Sequence, residues 1–293
     1  MNKVKKTSED WIVDIVTWGI LLIILFITLY PFYYILVASF NDGNDLTRGG
    51  VYFWPRKFTL DNYMLFFGKQ SWINSLWVSI FRTVVGSALT LVFTSLISYG
   101  LSRPELIFKK FYRFLFIFSM YVSGGLIPYY VMLRNLHLLN KIWVYVIPTM
   151  LNLFFVLVGI SFFESIPASL LESARLDGAA EIVIFIRIVL PVSVPFLATL
   201  ALFAAVGQWN AWLDSAYYVN ADHLRTLAYR MMSEINRAAG AASNQNVDTL
   251  VTSPTVMTTM ATAMCVSMLP IICVYPFLQR YFVQGIMIGS VKE

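Results

Sequence analysis

The chain has 293 residues, 58% hydrophobic, 16% aromatic and only 13% charged, with a mean hydropathy of +0.70. Soluble domains carry roughly 25% charged residues, so a water-soluble globular fold is excluded. The apolar runs are far longer than the ~10 residues of a membrane barrel strand and lack its alternation, which points to an all-α, polytopic membrane helical bundle.

Six runs of spanning length follow one another, leaving no room for a separate soluble catalytic domain. The first, 12–40, follows Lys3, Lys5 and Lys6. It is too long for a secretory h-region and has no convincing cleavage site, so it reads as an uncleaved first helix behind a short cytoplasmic N-terminus, 1–11. A polar stretch, 41–71, precedes the second run, 73–101, which Ser102-Arg103-Pro104 stops. A link with Lys109, Lys110 and Arg113 leads to the third run, 114–133, and the fourth is 143–163. The fifth, 192–213, is followed by the most polar stretch of the chain, 214–254, and the sixth is 255–277. Lys and Arg lean toward an inside N-terminus by eleven to nine. An even number of spans then puts both termini on the cytoplasmic side.

Catalytic chemistry finds no support. His137 and His223 are the only histidines, and Cys265 and Cys273 share one apolar run as packing residues. Gly68-Lys69-Gln70, the nearest approach to a Walker A pattern, lacks the upstream Gly and the Ser/Thr. No enzyme, metal site or nucleic-acid partner is expected. The net charge of +5 implies only a mild preference for anionic lipid or solute.

The segment between the fourth and fifth runs, 164–191, differs in character. Pro167 suits a first helical turn and Gly178 a helix stop, which predicts one helix of about ten residues between them. A second helix is predicted over 179–190, with Ile182, Phe185, Ile186 and Val189 at helical spacing and Pro191 starting the next span. Small residues (Ser173, Ala174, Gly178, Ala179, Ala180) at the corner let its tip enter a narrow cleft, and Gly178 permits positive φ. Glu172, Arg175 and Asp177 offer charge-assisted contacts to a partner. Arg175 serves equally as an i,i+3 partner of Glu172. The segment reads as a docking plug, with an amphipathic interfacial helix as the alternative.

Glu172-Ser173-Ala174-x-x-Asp177-Gly178-Ala179, then eight residues, then Ile188-x-Leu190-Pro191, resembles the EAA loop of permease subunits of binding-protein-dependent ABC importers, with Ser at the second alanine position. Trp54-Pro55 through Phe58-Thr59-Leu60-Asp61-Asn62-Tyr63 resembles the first outer loop of the carbohydrate-uptake group. Ser123-Gly124-Gly125-Leu126-Ile127-Pro128 and the ending Tyr275-Pro276-Phe277 through Gly289-Ser290-Val291-Lys292 are similar to the subgroup for complex saccharides, the LplC/YtcP type. The resemblance covers nearly the whole chain.

It implies a MetI-like, maltose-permease-like transmembrane domain over 12–293. It implies a second homologous permease, two ATPase subunits that hold ATP and Mg, an extracytoplasmic binding protein, and a site in the bacterial cytoplasmic membrane. The solute implied is an oligosaccharide, in some relatives an acidic one such as an alginate or pectin fragment. Glu172, Ser173, Ala174, Arg175, Asp177, Gly178, Ala179, Leu190 and Pro191 would couple the chain to an ATPase, and rigid-body rocking would give alternating access.

Saccharides are held by aromatic faces and convergent hydrogen-bonding groups. Trp209-Asn210-x-Trp212 with Asp214, Tyr217 and Tyr218 is the richest such cluster, and an interfacial aromatic belt would also place Trp and Tyr there. Arg82, about nine residues into the second run, is costly unless it faces a partner or a water-filled cavity. A solute carboxylate, snorkelling and pairing within the bundle are its possible explanations. The small and polar tract 238–246 reads as a flexible tip, to which the resemblance assigns the role of a finger entering the binding protein. An ion-coupled secondary transporter would place carboxylates within the spans, and only Asp14 comes close; a permease for a non-sugar solute would share the EAA loop.

Overall fold

A computed structural model describes residues 8–243 and 255–290, with side chains over 10–237 and 255–274. Among the described residues the protein is helical, and its single β-type contact is an isolated bridge between Asn41 and Phe58. The chain divides into two compact units, Met1–Lys69 with Glu234–Leu269 and Gln70–Ser233 with Pro270–Glu293.

In the first unit, α1 (Ser8–Ser39) is a single uninterrupted helix whose apolar side chains are exposed along most of its length, as a lipid-facing span requires. Only its end is buried, where Val37 and Ala38 meet Leu46, Val51 and Ala261. The polar stretch that follows is ordered by side-chain amides as well as by the packing of Leu46 and Val51. Asn41 donates from Nδ2 to Asp45 (3.1 Å) and accepts from the Lys57 N–H (3.0 Å), while Asn62 donates to the carbonyls of Ser39 and Asn41. These bonds carry the chain through α2 (Gly43–Thr47) and α3 (Asp61–Gly68). Asp45 is held below the usual carboxylate range by the Asn41 hydrogen bond and by the Arg56 guanidinium.

The second unit is organised on α4 (Gln70–Ser102), the second span. Its buried face carries Ser75, Ser79, Arg82, Gly86, Thr90, Thr94 and Ser98, one residue per turn. Small residues let neighbouring backbones approach closely, and their hydroxyls bond across helices where no water is available. The sequence predicts the span itself; the periodicity of its small residues is a signal the apolar-run reading passes over.

The third, fourth and fifth runs are not simple crossings. The third breaks into α5 (Lys109–Tyr121) and α6 (Leu126–Asn135), which meet at 114°, with Gly125 at φ +83° at the corner. The fourth opens with a 3-10 turn, Ile142–Tyr145, and becomes α-helical only at α7 (Leu153–Glu164), 12 residues long. At 1.5 Å per residue this is about 18 Å, short of the ~30 Å hydrocarbon core. The non-helical backbone is tolerated because α4 supplies its partners: Thr90 Oγ1 donates to the Thr149 carbonyl (3.0 Å), and the Asn152 N–H donates to Thr94 Oγ1 (3.2 Å).

The inter-span segment folds as two arms, α8 (Ala168–Leu176) and α9 (Glu181–Val192), the latter with a π-type turn at Phe185–Val189. Pro191 lies inside α9. The chain bends by 83° at Ser193, two residues later than the proline suggests, and the fifth span is α10 (Val194–Asn210). Beyond α11 (Leu213–Tyr218), α12 (Leu227–Ser243) continues through most of the tract read as a flexible tip, since Ala, Met, Glu and Arg are good helix formers. Residues 244–246 lie outside the described residues, and α13 (Val256–Ser290) follows.

Candidate functional site

Two places in the second unit gather the residues that the sequence singles out. At the corner, Pro167 caps α8, and Gly178 adopts φ +79°. The Ala179 N–H donates to the Ala174 carbonyl and the Gly178 N–H to the Arg175 carbonyl, each at 3.0 Å, which is a Schellman turn with glycine in its left-handed position. A Cβ on Gly178 would meet nothing within 4 Å, so within this chain only the backbone conformation demands glycine.

The inner face of the corner is apolar. Leu171, Ile184, Phe185 and Val189 are buried with Tyr99 and Phe163, and Ala174, Ala179 and Leu190 pack against them. Of the four residues at helical spacing, Phe185 and Val189 are buried and Ile182 and Ile186 are exposed; with the π-type turn in this arm the buried stripe is Ile184, Phe185 and Val189. Glu172, Ser173, Asp177, Gly178 and Pro191 face outward, and Leu176 at the tip is 89% exposed.

Arg175 does not bond Glu172. Its Nη1 donates to Glu105 (2.6 Å) and its Nε to Glu181 (2.7 Å), reaching the link after α4 and the start of α9. Glu181 also accepts from the Tyr99 hydroxyl (2.7 Å), and Arg103 lies 4.4 Å over the Tyr99 ring. The Glu105 carboxyl is held below its ordinary range, first by a backbone N–H and then by Arg175. Lys109 (2.7 Å) and Arg113 both bind Glu164. Arg103, Glu105, Lys109, Glu164, Glu172 and Arg175 line a cleft of about 360 Å³.

The second place is centred on Arg82, which is 1% exposed. All five of its N–H groups are engaged. Nε and Nη2 donate to Gln208 Oε1 (3.1 and 2.9 Å); Nη1 and Nη2 donate to Asp214 (3.0 and 2.6 Å); and Nη1 also donates to the Ala211 carbonyl (3.1 Å). Of the three explanations open to Arg82, pairing within the bundle is the arrangement found, and it closes the break between α10 and α11. The guanidinium lies 4.7 Å over Tyr145, whose hydroxyl donates to the Leu224 carbonyl (2.8 Å). Gln208 donates onward to Thr149 (2.7 Å).

The aromatic cluster divides. Trp209 is buried, Trp212 is half-buried, and Asn210 and Tyr217 are exposed. Tyr218 sits among Tyr217, Tyr129 and Tyr130, with ring centroids 5.7 to 6.3 Å apart. It borders a cavity of about 490 Å³ that also involves Gly124, Gly125, Pro128 and Met132. The sequence reading missed Gln208, Glu105, Glu181 and Leu176. A glutamine inside an apolar run was the available signal for Gln208; Glu181 and Glu105 acquire meaning only from Arg175, six and seventy positions away, and Leu176 only from its exposure at the tip. Among the described residues no group of His, Cys, Asp and Glu is arranged to hold a metal.

The chain is 34% identical over 279 residues to the polygalacturonan/rhamnogalacturonan transport system permease protein YtcP of Bacillus subtilis (strain 168), an alignment covering 95% of this chain and 98% of the relative. It is 38% identical over 267 residues to protein LplC of the same organism, covering 91% and 90%. Its fold matches a chain in the crystal structure of a bacterial ABC transporter involved in the import of the acidic polysaccharide alginate, with a TM-score of 0.84, 28% identity and coverage of 96% and 100%. No protein-family model matches the chain.

Proposed function

The chain belongs to the family of ABC-importer permease subunits, and from that membership we propose that it forms part of the path for an oligosaccharide cut from an acidic plant or algal polysaccharide. Members of this family are translocation components rather than enzymes and act with ATPase and binding-protein components. The names of the relative YtcP and of the structural neighbour support the solute class.

The full assembly in this reading is two homologous permeases, two ATPase subunits that hold ATP and Mg, and an external binding protein. The transmembrane domain is 12–293 in the cytoplasmic membrane, with both termini and the 164–191 corner on the cytoplasmic side and 41–71 and 214–254 outside. The observation that carries the coupling assignment is the corner. A Schellman turn fixes its shape, an apolar inner face holds it on α4, and Leu176, Asp177 and Gly178 stand clear of the chain. Glu172, Ser173, Ala174, Arg175, Asp177, Gly178, Ala179, Leu190 and Pro191 form this element, which seats in an ATPase groove and carries its motion to the bundle. The solute passes Asn210, Trp212, Tyr217 and Tyr218, with Trp209, Asp214 and Arg82 behind them. The tract 238–246 contacts the binding protein.

The test is reconstitution of the permeases, ATPases and binding protein in proteoliposomes. ATP-dependent uptake of galacturonate or alginate oligomers, with cross-linking of Leu176→Cys to the ATPase, is expected. Uptake of amino acids or phosphate in their place defeats the solute assignment. A corner that labels only from outside defeats the coupling assignment.

A further inference from the structure

We propose that Arg175 is a positioning residue for transport: it clamps the two arms of the corner to the end of the second span, so that motion received at the tip turns the span instead of flexing the turn. The inference rests on the coupling role assigned above.

Three separate segments meet at this guanidinium. Glu105 belongs to the link beyond α4, Arg175 to the last turn of α8, and Glu181 to the first turn of α9. The last two lie on either side of Gly178, the residue of the corner whose backbone is freest. Without the clamp, the angle between the arms is held by the Schellman hydrogen bonds and by the apolar packing of the inner face, which is non-directional. With it, Nε and Nη1 of one rigid, planar guanidinium each hold a carboxylate. The second oxygen of Glu181 is held by Tyr99, a residue of α4 itself, which stacks under Arg103. The connection from corner to span is thus unbroken: Arg175 to Glu181 to Tyr99, and Arg175 to Glu105.

Stability is a poor explanation for this arrangement. The side chains are 34%, 55% and 52% exposed for Arg175, Glu105 and Glu181, and ion pairs that open contribute little to folding. Their value lies in direction. A lysine would keep the charge but present a single point donor, which cannot span both carboxylates in fixed geometry.

The experiment uses the reconstituted complex and reads sugar imported per ATP hydrolysed, together with the yield and melting temperature of the assembly. Arg175→Gln, and separately Glu105→Gln with Glu181→Gln, should leave yield and melting nearly unchanged while import per ATP falls roughly tenfold, a scale that small misplacements of a working group produce. Arg175→Lys should recover only part of the loss. An unchanged ratio in the double glutamine variant overturns the proposal, because Arg175 would then act, if at all, by touching the partner directly. A fall in the ratio that merely follows a fall in yield also overturns it. Cross-linking at Leu176→Cys is run in each variant. Capture of the ATPase with an unchanged ratio removes the clamp alone, whereas failure of capture in the parent protein removes the coupling assignment beneath it.

Discussion

Arg82 and Arg175 each collect partners from segments distant in sequence, yet one is 1% exposed and the other has a side chain 34% exposed. That difference decides what each can do. A buried guanidinium has no water to fall back on, so every N–H must be matched inside the protein, and losing a partner leaves an uncompensated charge in a low dielectric. A half-exposed one can always turn to solvent, so its bonds choose a geometry at little energetic consequence.

The contrast is sharpest if the partners are removed. Asp214→Ala should destabilise the assembly by about 3–5 kcal/mol, the usual cost of orphaning a buried ion, read as a large fall in melting temperature and yield. Replacing both ends, Arg82→Met with Asp214→Leu, should restore much of that loss; if it does not, the pair does more than neutralise itself. The glycines offer a second comparison. A Cβ on Gly159 would lie 2.6 Å from Ser98 Oγ and 2.8 Å from the Phe196 ring, so Gly159→Ala should cost about 1–3 kcal/mol by overpacking. Gly178→Ala has open space around it and should cost only the ~1–2 kcal/mol of a left-handed alanine. Gly178→Trp, by contrast, should abolish coupled transport while the complex still assembles, and normal uptake would remove the partner cleft from the argument.

Arg175→Gln should lie at the small end for stability, under about 1 kcal/mol. Its pH behaviour is the mildest expectation. The folded carboxyl of Glu105 sits below its ordinary range, so its contribution is fully present above the unfolded value and disappears only as pH falls through the lowered one. Import per ATP should therefore be flat between about pH 6 and 8. A step in that window would point to a different titrating group.

Much of this was legible in the chain. The six apolar runs, the proline-capped first arm and the positive φ at Gly178 all follow from local rules, because they depend on residues within a turn or two. The kinks were not legible. Hydropathy counts residues without regard to backbone path, so 114–133 and 143–163 read as straight spans although Gly125 reverses one and α4 hydroxyls replace helical bonds in the other. Pairings were the least accessible of all: Arg175 has Glu172 as its nearest local candidate, and only the tertiary fold brings Glu105 to it. For Arg82 the cost of an intramembrane charge announced that a partner must exist, without saying that it was Asp214.

The small residues along α4 have one more effect. Because Gly86, Thr90, Thr94 and Ser98 recur every four positions, sliding that helix by about 6 Å would set another small or hydroxyl-bearing residue against each neighbour, leaving the contact nearly as good. Such a ladder cannot by itself tell one rung from the next. Arg82 is the unrepeated tooth among them, and its fit to a lone carboxylate is what denies the helix a second resting place.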